Sequence, residues 1–146
     1  MSTNRATLSY DQLVQKLRYN VDFLDTEIGQ QADLYQMIIE ESCALGDKLS
    51  QLKIQLDTEK AITELKVRKT FENNAVKATE GKVEAEVKTD ATLVQLKLDV
   101  AQAETEYDRW YGLKKAWEMR QSSIDSTVRM ILSGYLAYKK PTPVGP

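Results

Sequence analysis

Apolar residues between Asp90 and Tyr135 recur at alternating spacings of three and four residues. This pattern is the 3.5-residue repeat of a coiled-coil seam, a stripe that a helix buries against neighbouring helices. Two polar residues, Lys114 and Gln121, fall on the stripe. The pattern predicts one long helix over residues 90–138, with a seam formed by Leu93, Leu96, Val100, Ala103, Tyr107, Trp110, Trp117, Ile124, Val128, Ile131 and Tyr135.

A second long helix is predicted over residues 25–72, which contain no proline. Its apolar positions fall on a seven-residue grid in which Ser42 fills one seam position; the others are Ile38, Leu45, Leu49, Leu52 and Leu56. Glycine costs about 1 kcal/mol relative to alanine inside a helix. Gly46 therefore indicates either a bend or a close helix crossing.

The residues that flank the two long helices favour caps and turns. Ser9 or Asp11 can cap a short amphipathic helix over residues 9–20, and a break near Asp22 or Asp25 separates it from the next helix. The last residues, 141–146, contain three prolines and are expected to form a flexible tail.

Residues 73–89 lack a sustained helical seam and contain Asn73, Asn74 and Gly81. They are predicted to form a loop-like connector, after which Thr89 or Asp90 caps the last long helix. Because such a connector lets the chain reverse, the two long helices are expected to pack antiparallel.

These elements predict an all-α fold, an elongated helical hairpin or coiled-coil bundle in a single domain over residues 1–140. A rod of this kind has a small hydrophobic core relative to its exposed surface, so assembly as a homo-oligomer is expected. No apolar run is long enough to cross a bilayer, and Met1 to Thr7 show no secretory signal. A single cysteine, Cys43, fits a reducing compartment, so a cytoplasmic location is expected.

Catalytic chemistry finds little support in the sequence. The chain has no histidine, so the usual general base near neutral pH and the commonest neutral metal ligand are missing. No nucleophile can be paired with a base, and no glycine-rich loop followed by lysine could hold a phosphate. The sequence therefore predicts a protein that is not an enzyme and uses no metal or cofactor.

The last long helix carries an aromatic and basic run between Tyr107 and Arg120. Aromatic rings can stack unpaired bases while nearby cations contact phosphates. The alternative is that Tyr107, Trp110 and Trp117 are buried in the seam, and their spacing favours this interpretation. The cations Lys114, Lys115 and Arg120 are expected to line an exposed groove or to neutralise acidic residues of a neighbouring subunit.

A second cluster of cations, Lys66, Arg68 and Lys69, lies near the end of the first long helix. Cations at this end complement the helix dipole, and the cluster also forms a small anion-binding surface. The net charge of the chain is only −2, so any binding of nucleic acid must use such a local patch.

The order of these elements resembles the phage recombination mediators of the UvsY type. The resemblance covers most of residues 10–133, and its more distinctive parts are Lys66-Val67-Arg68 and the layout from Lys88 to Met130. It implies a closed homo-oligomeric ring that binds single-stranded DNA. It also implies a protein that helps a RecA-like recombinase displace the single-strand binding protein, with Lys66 and Arg68 in the DNA-binding surface.

The acidic balance of the chain raises a competing hypothesis. A ring would repeat the cation cluster once per subunit and so form a continuous track for a polyanion. Without such a track, the chain would be a coiled-coil structural or adaptor protein, such as a phage virion, scaffold or host-binding component, without affinity for nucleic acid.

Overall fold

The structure, a computed structural model, describes residues 8–136. Over this range the chain forms helices and no strand, which confirms the all-α class. The elements are α1 (Tyr10–Gln15), a 3₁₀ helix (Val21–Phe23), α2 (Leu24–Asn73), α3 (Glu80–Thr89) and α4 (Ala91–Leu132). The proline-rich tail predicted over residues 141–146 lies outside the described residues.

The chain forms two compact units. Unit 1 combines the chain up to Ser42 with the chain from Arg109 onward, and unit 2 is Cys43–Asp108. In unit 1, Tyr35 of α2 bonds to Glu118 of α4, and Glu27 pairs with Arg120 further along α4. Going back along α2 from Tyr35 to Glu27, the contacted residue of α4 moves forward from Glu118 to Arg120. The two helices therefore run antiparallel within unit 1.

Within unit 2 the same two helices are again antiparallel, since Gly46 lies beside Tyr107 and Lys53 pairs with Glu104. A Cβ atom built at Gly46 would lie 3.2 Å from the Tyr107 ring. The glycine of α2 thus marks a close helix crossing, one of the two alternatives that the sequence left open, and α2 continues through it.

The core of unit 1 joins α1 to the long helices through Leu13, Ile38, Leu113 and Trp117. Ser9, one of the two candidate caps that the sequence offered, caps α1 in a capping box with Gln12. The helix is shorter than the predicted range of 9–20 and ends at Gln15. The Lys16 carbonyl accepts a 3.0 Å hydrogen bond from Nε of Arg120, and this tertiary bond holds the chain where it leaves the helix.

The core of unit 2 includes α3, which corrects the prediction that residues 73–89 form a loop-like connector. Val83 and Val87 are one helical turn apart, and both are buried with Leu93 against partly buried side chains of α2, namely Leu56, Val67 and Phe71. This shared burial stabilises a short helix that has few apolar residues. Of the two candidate caps of α4, Thr89 and Asp90, the structure selects Asp90, whose Oδ1 accepts from the Leu93 amide at 3.0 Å.

The seam of α4 follows the predicted stripe in full only as far as Trp110. Beyond it Trp117 and Ile124 stay buried as predicted, but Leu113, Arg120 and Thr127 replace the other seam positions of the heptad grid, Lys114, Gln121 and Val128. A straight helix repeats every 3.6 residues, so a strict 3.5-residue grid drifts off the buried face. The structure therefore shifts alternate positions of the predicted seam by one residue beyond Trp110.

The predicted oligomer seam is occupied within a single chain. Leu93, Leu96 and Val100 are buried in unit 2, and Trp117 and Ile124 are buried in unit 1. These five residues form intrachain cores, whereas the other predicted seam residues of the helix, Tyr107, Trp110, Val128 and Ile131, are only partly buried. Tyr135 is exposed and follows the end of α4 at Leu132, which corrects the prediction of a helix through residue 138.

The two long helices end in the same kind of turn. After α2, the Val76 amide donates to the Phe71 carbonyl at 2.9 Å, the closing bond of a Schellman motif. Ala75 takes the left-handed position of this motif with φ +50°, and Gly134 takes the equivalent position after α4 with φ +81°. The turn after α2 thus has a methyl side chain at the left-handed position, whereas the turn after α4 has glycine there.

Candidate nucleic-acid interface

Lys66 and Lys69 form an exposed pair on α2 in unit 2. Residues three apart on a helix are neighbours on its surface, so the two ammonium groups share one face. Among the described residues, neither lysine makes an ion pair. Both side chains therefore offer positive charge to solvent.

Arg68, the third cation of this cluster, lies on another side of α2. Its Nη2 donates to both carboxylate oxygens of Glu80 on α3, at 2.9 and 3.1 Å. This hydrogen bond and the charge of Glu80 raise the pKa of Arg68. The guanidinium stays charged, and one of its terminal nitrogens is engaged by Glu80 within the chain.

Helix α3 presents acidic residues to both members of the Lys-x-Arg motif. Glu80 and Glu84 line a cleft of about 420 Å³ together with Arg68. On the other side, Glu86 lines a separate groove of about 440 Å³ together with Lys66. The sequence predicted neither arrangement, because a loop-like connector would hold these carboxylates at no fixed place.

Lys114 and Lys115 belong to unit 1, where they flank the ring of Tyr111. Each ammonium nitrogen lies 5.6 Å from the ring centroid, within cation–π range. Tyr111 is 41% exposed, so part of its ring is open to solvent. This cluster of Tyr111, Lys114 and Lys115 has the composition of a surface that binds single strands.

Glu118 reduces the positive charge of this cluster. Its carboxylate accepts from the Tyr35 hydroxyl at 2.8 Å and from Lys115 at 3.1 Å. These two hydrogen bonds lower the pKa of Glu118, and the bond from Tyr35 has the larger effect. The hydrogen bond between Lys115 and Glu118 also raises the pKa of Lys115. Glu118 is therefore held ionised beside the lysine.

Replacing Tyr35 by phenylalanine is expected to raise the pKa of Glu118 toward its ordinary value, because the larger of the two stabilising hydrogen bonds is removed. A lowered carboxyl pKa stabilises the fold above the pKa of the unfolded chain, and this contribution disappears as pH falls through the folded pKa. Tyr35→Phe should therefore make the acid side of the stability profile less steep.

A titration of the carboxyl carbons by NMR measures this pKa directly. Lys115→Met is the comparison: it removes the second hydrogen bond together with the Coulombic attraction of the ammonium, so it too should raise the pKa of Glu118. An unchanged Glu118 titration in Tyr35→Phe would contradict this assignment of the cause.

Arg120 lies inside unit 1, which contradicts its predicted place in an exposed groove. The residue is 5% exposed, and its guanidinium pairs with the carboxylate of Glu27 and the amide oxygen of Gln31. It also lies 4.8 Å from the Trp117 ring centroid. With its donors used inside the fold, Arg120 is not available to phosphates.

The three seam aromatics serve packing, as their spacing favoured. Trp117 is fully buried, and Tyr107 is half-buried beside Gly46. Trp110 contacts the Tyr10 ring edge-on, with 5.5 Å between the two centroids. Tyr111, on the outer face of α4, is the exposed aromatic residue of this run.

The described residues show no group of three or more cysteine, aspartate or glutamate side chains positioned to hold a metal ion. Within the same residues, no helix combines the length and the apolar character that a membrane span requires. No family model matches the chain, and no curated protein or solved structure shows significant similarity to it.

Proposed function

We propose that this protein is a non-enzymatic recombination mediator. In this role it binds single-stranded DNA as a homo-oligomer and helps load a RecA-like recombinase in place of the single-strand binding protein. The observation that carries the proposal is the exposed pair Lys66 and Lys69, which has no ion pair among the described residues; Lys66 belongs to the segment Lys66-Val67-Arg68, and Lys69 follows it. The cluster of Tyr111, Lys114 and Lys115 provides a second surface for bases and phosphates.

An exposed apolar stripe on α2 favours assembly next to the lysine pair. Ile54 and Leu65 are 67% and 69% exposed, and Ile62 lies on the same side of the helix. Large exposed apolar patches are typical of surfaces that bind other proteins. Lys66 follows Ile62 by four residues and Lys69 follows Leu65 by four, so self-association along this stripe would bring the lysines of several copies close together.

Binding of a fluorescein-labelled, single-stranded oligonucleotide, followed by anisotropy at low and moderate salt, tests the proposal. The assembled protein is expected to bind, and its affinity should fall as salt rises because bound phosphates release counterions. Lys66→Ala combined with Lys69→Ala should weaken binding and reduce the log–log salt slope by about 0.7 for each phosphate that is no longer neutralised.

The matched control combines Arg18→Ala with Lys48→Ala, two exposed cations without an ion pair among the described residues. It removes the same charge and should leave the salt slope close to that of the unchanged protein. If well-assembled protein gives a flat anisotropy response at low salt, the proposal is rejected. The mediator step itself is measured by recombinase filament formation on DNA already covered by single-strand binding protein.

A second candidate function is a structural or adaptor protein without affinity for nucleic acid. Three of the predicted DNA-binding cations form ion pairs within the chain, which favours this candidate. Arg120 is buried, Arg68 pairs with Glu80 and Lys115 pairs with Glu118. This candidate predicts self-association through the apolar stripe of α2 and no anisotropy change with DNA. Native mass spectrometry combined with the binding assay separates the two functions.

A further inference from the structure

Helix α3 meets both members of the Lys-x-Arg motif with acidic side chains. On one side of the helix, Glu80 holds Arg68 through two hydrogen bonds and Glu84 lines the same cleft. On the other side, Glu86 shares a groove with Lys66. Carboxylates thus accompany the same two cations that a bound strand would meet with its phosphates.

We propose that α3 is an intramolecular competitor for single-stranded DNA: the Glu80 carboxylate occupies Nη2 of Arg68, and a DNA phosphate that takes this donor must displace the carboxylate. The inference rests on the proposed function and adds a regulation to it. It assigns to Glu80 and Glu86 a role in setting DNA affinity that nothing in the sequence pattern indicated.

The geometry of the Arg68–Glu80 pair suits such an exchange. Guanidinium groups bind carboxylates and phosphates through the same planar arrangement of donors, so a phosphate can replace the carboxylate without moving the arginine backbone. Glu80 is largely exposed, so its carboxylate is readily solvated once released. Exposed ion pairs of this kind are weak, which allows a strand with many phosphates to compete successfully.

Displacement does not require α3 to unfold. Val83 and Val87 hold the helix on α2 and α4 through the apolar core of unit 2, whereas Glu80 is its first residue. Only the pair at the end of the helix has to open. Each subunit therefore weakens its own binding to DNA, and the summed interactions of an assembly overcome that competition.

The test is the affinity of Glu80→Gln for a labelled, single-stranded oligonucleotide at low salt. The substitution keeps the size of the side chain and removes its charge, so Arg68 becomes available. We expect the affinity to rise roughly two- to fivefold per DNA-bound subunit, the range that weak exposed ion pairs allow. Glu86→Gln should raise affinity by a smaller factor, because Glu86 lines the groove of Lys66 without an ion pair to it in the described residues.

The matched control is Asp47→Asn, which makes the same charge change in unit 2 at an exposed residue of α2 with no ion pair among the described residues. A double-mutant cycle adds specificity. Glu80→Gln should have no further effect in a chain that already carries Arg68→Ala, because the side chain that Glu80 occupies is gone. Arg68→Ala alone should weaken binding.

The outcomes separate the inference from the proposed function. If the unchanged protein binds DNA and Glu80→Gln behaves like Asp47→Asn, or acts equally in the Arg68→Ala background, the competitor role is wrong and the proposed function stands. If the unchanged protein gives no response at low salt, the proposed function is rejected, and the competitor role, which rests on it, is rejected as well.

Discussion

Replacing Arg120 by alanine is expected to lower the free energy of unfolding of unit 1 by roughly 3 kcal/mol, the lower end of the range for breaking a buried ion pair. The change removes the partner of Glu27 and Gln31 and the donor to the Lys16 carbonyl, so three groups are deprived of a hydrogen bond. The lower end applies because the Glu27 side chain is 21% exposed and can be partly solvated.

Urea unfolding followed by tryptophan fluorescence measures this destabilisation. The two tryptophans of the chain, at positions 110 and 117, both belong to unit 1, so their emission follows that unit. Arg18→Ala is the control, since Arg18 is an exposed residue of unit 1 with no ion pair among the described residues, and its removal should cost less than about 1 kcal/mol. A destabilisation in Arg120→Ala no larger than in this control would show that the buried network does not stabilise unit 1.

A second variant distinguishes the missing pair from the missing side-chain volume. When both members of a buried ion pair become apolar, stability is often kept, because no charge remains buried without a partner. Arg120→Met combined with Glu27→Leu should therefore recover most of the stability that Arg120→Ala removes.

Replacing Trp117 by alanine is expected to cost about 3–5 kcal/mol, the range for removing a large aromatic residue from a core. The side chain is fully buried among Leu13, Ile38 and Leu113, and its ring lies under the guanidinium of Arg120. The substitution removes both the apolar packing and the cation–π interaction. Urea unfolding followed by circular dichroism and by the emission of Trp110 measures the effect.

Trp117→Phe provides the matched comparison. Nε1 of Trp117 is buried without a hydrogen-bond partner among the described residues, so phenylalanine removes an unsatisfied donor while keeping an aromatic ring. Its destabilisation should be clearly smaller than that of Trp117→Ala. Met119→Ala, at a residue that is 72% exposed, should change stability little. A Trp117→Ala variant as stable as Met119→Ala would contradict the assigned core.

The long helices follow from the sequence because their apolar spacing extends over many turns. Helix α3 does not follow from the sequence, because the pattern from Val83 to Val87 fits both the alternation of a strand and one turn of a helix. Only the apolar surface of α2 and α4 decides between them, and that surface is formed by residues distant in sequence. Tertiary burial therefore determines what local pattern leaves open.

The register of α4 shows a similar limit. Up to Trp110 the heptad grid and the buried face coincide, but beyond it Leu113 is buried and Lys114 is only half-buried. Short heptad patterns do not reveal where a helix returns to its natural 3.6-residue period. Once the grid is shifted by one residue, Arg120 falls on the buried face.

Of the predicted DNA-binding residues, exposure could be inferred for the lysines but not for the arginines. Lys66 and Lys69 lie on an open face, as an amphipathic helix requires. Whether Arg68 and Arg120 are available to bind DNA depends on Glu80 and Glu27, which are acidic residues on other helices. No spacing rule links these pairs, since they lie 12 and 93 residues apart.

The turn after α2 bears on how α3 is held in place. Ala75 carries a Cβ atom in a backbone region that L-residues avoid, at a cost of about 1 kcal/mol that glycine would not incur. This strain subtracts from the stability that the two hydrogen bonds of the turn provide. The hydrophobic packing of Val83 and Val87 retains α3 beside the cations. The position of this helix therefore depends on the exclusion of water from these two side chains rather than on the geometry of the turn.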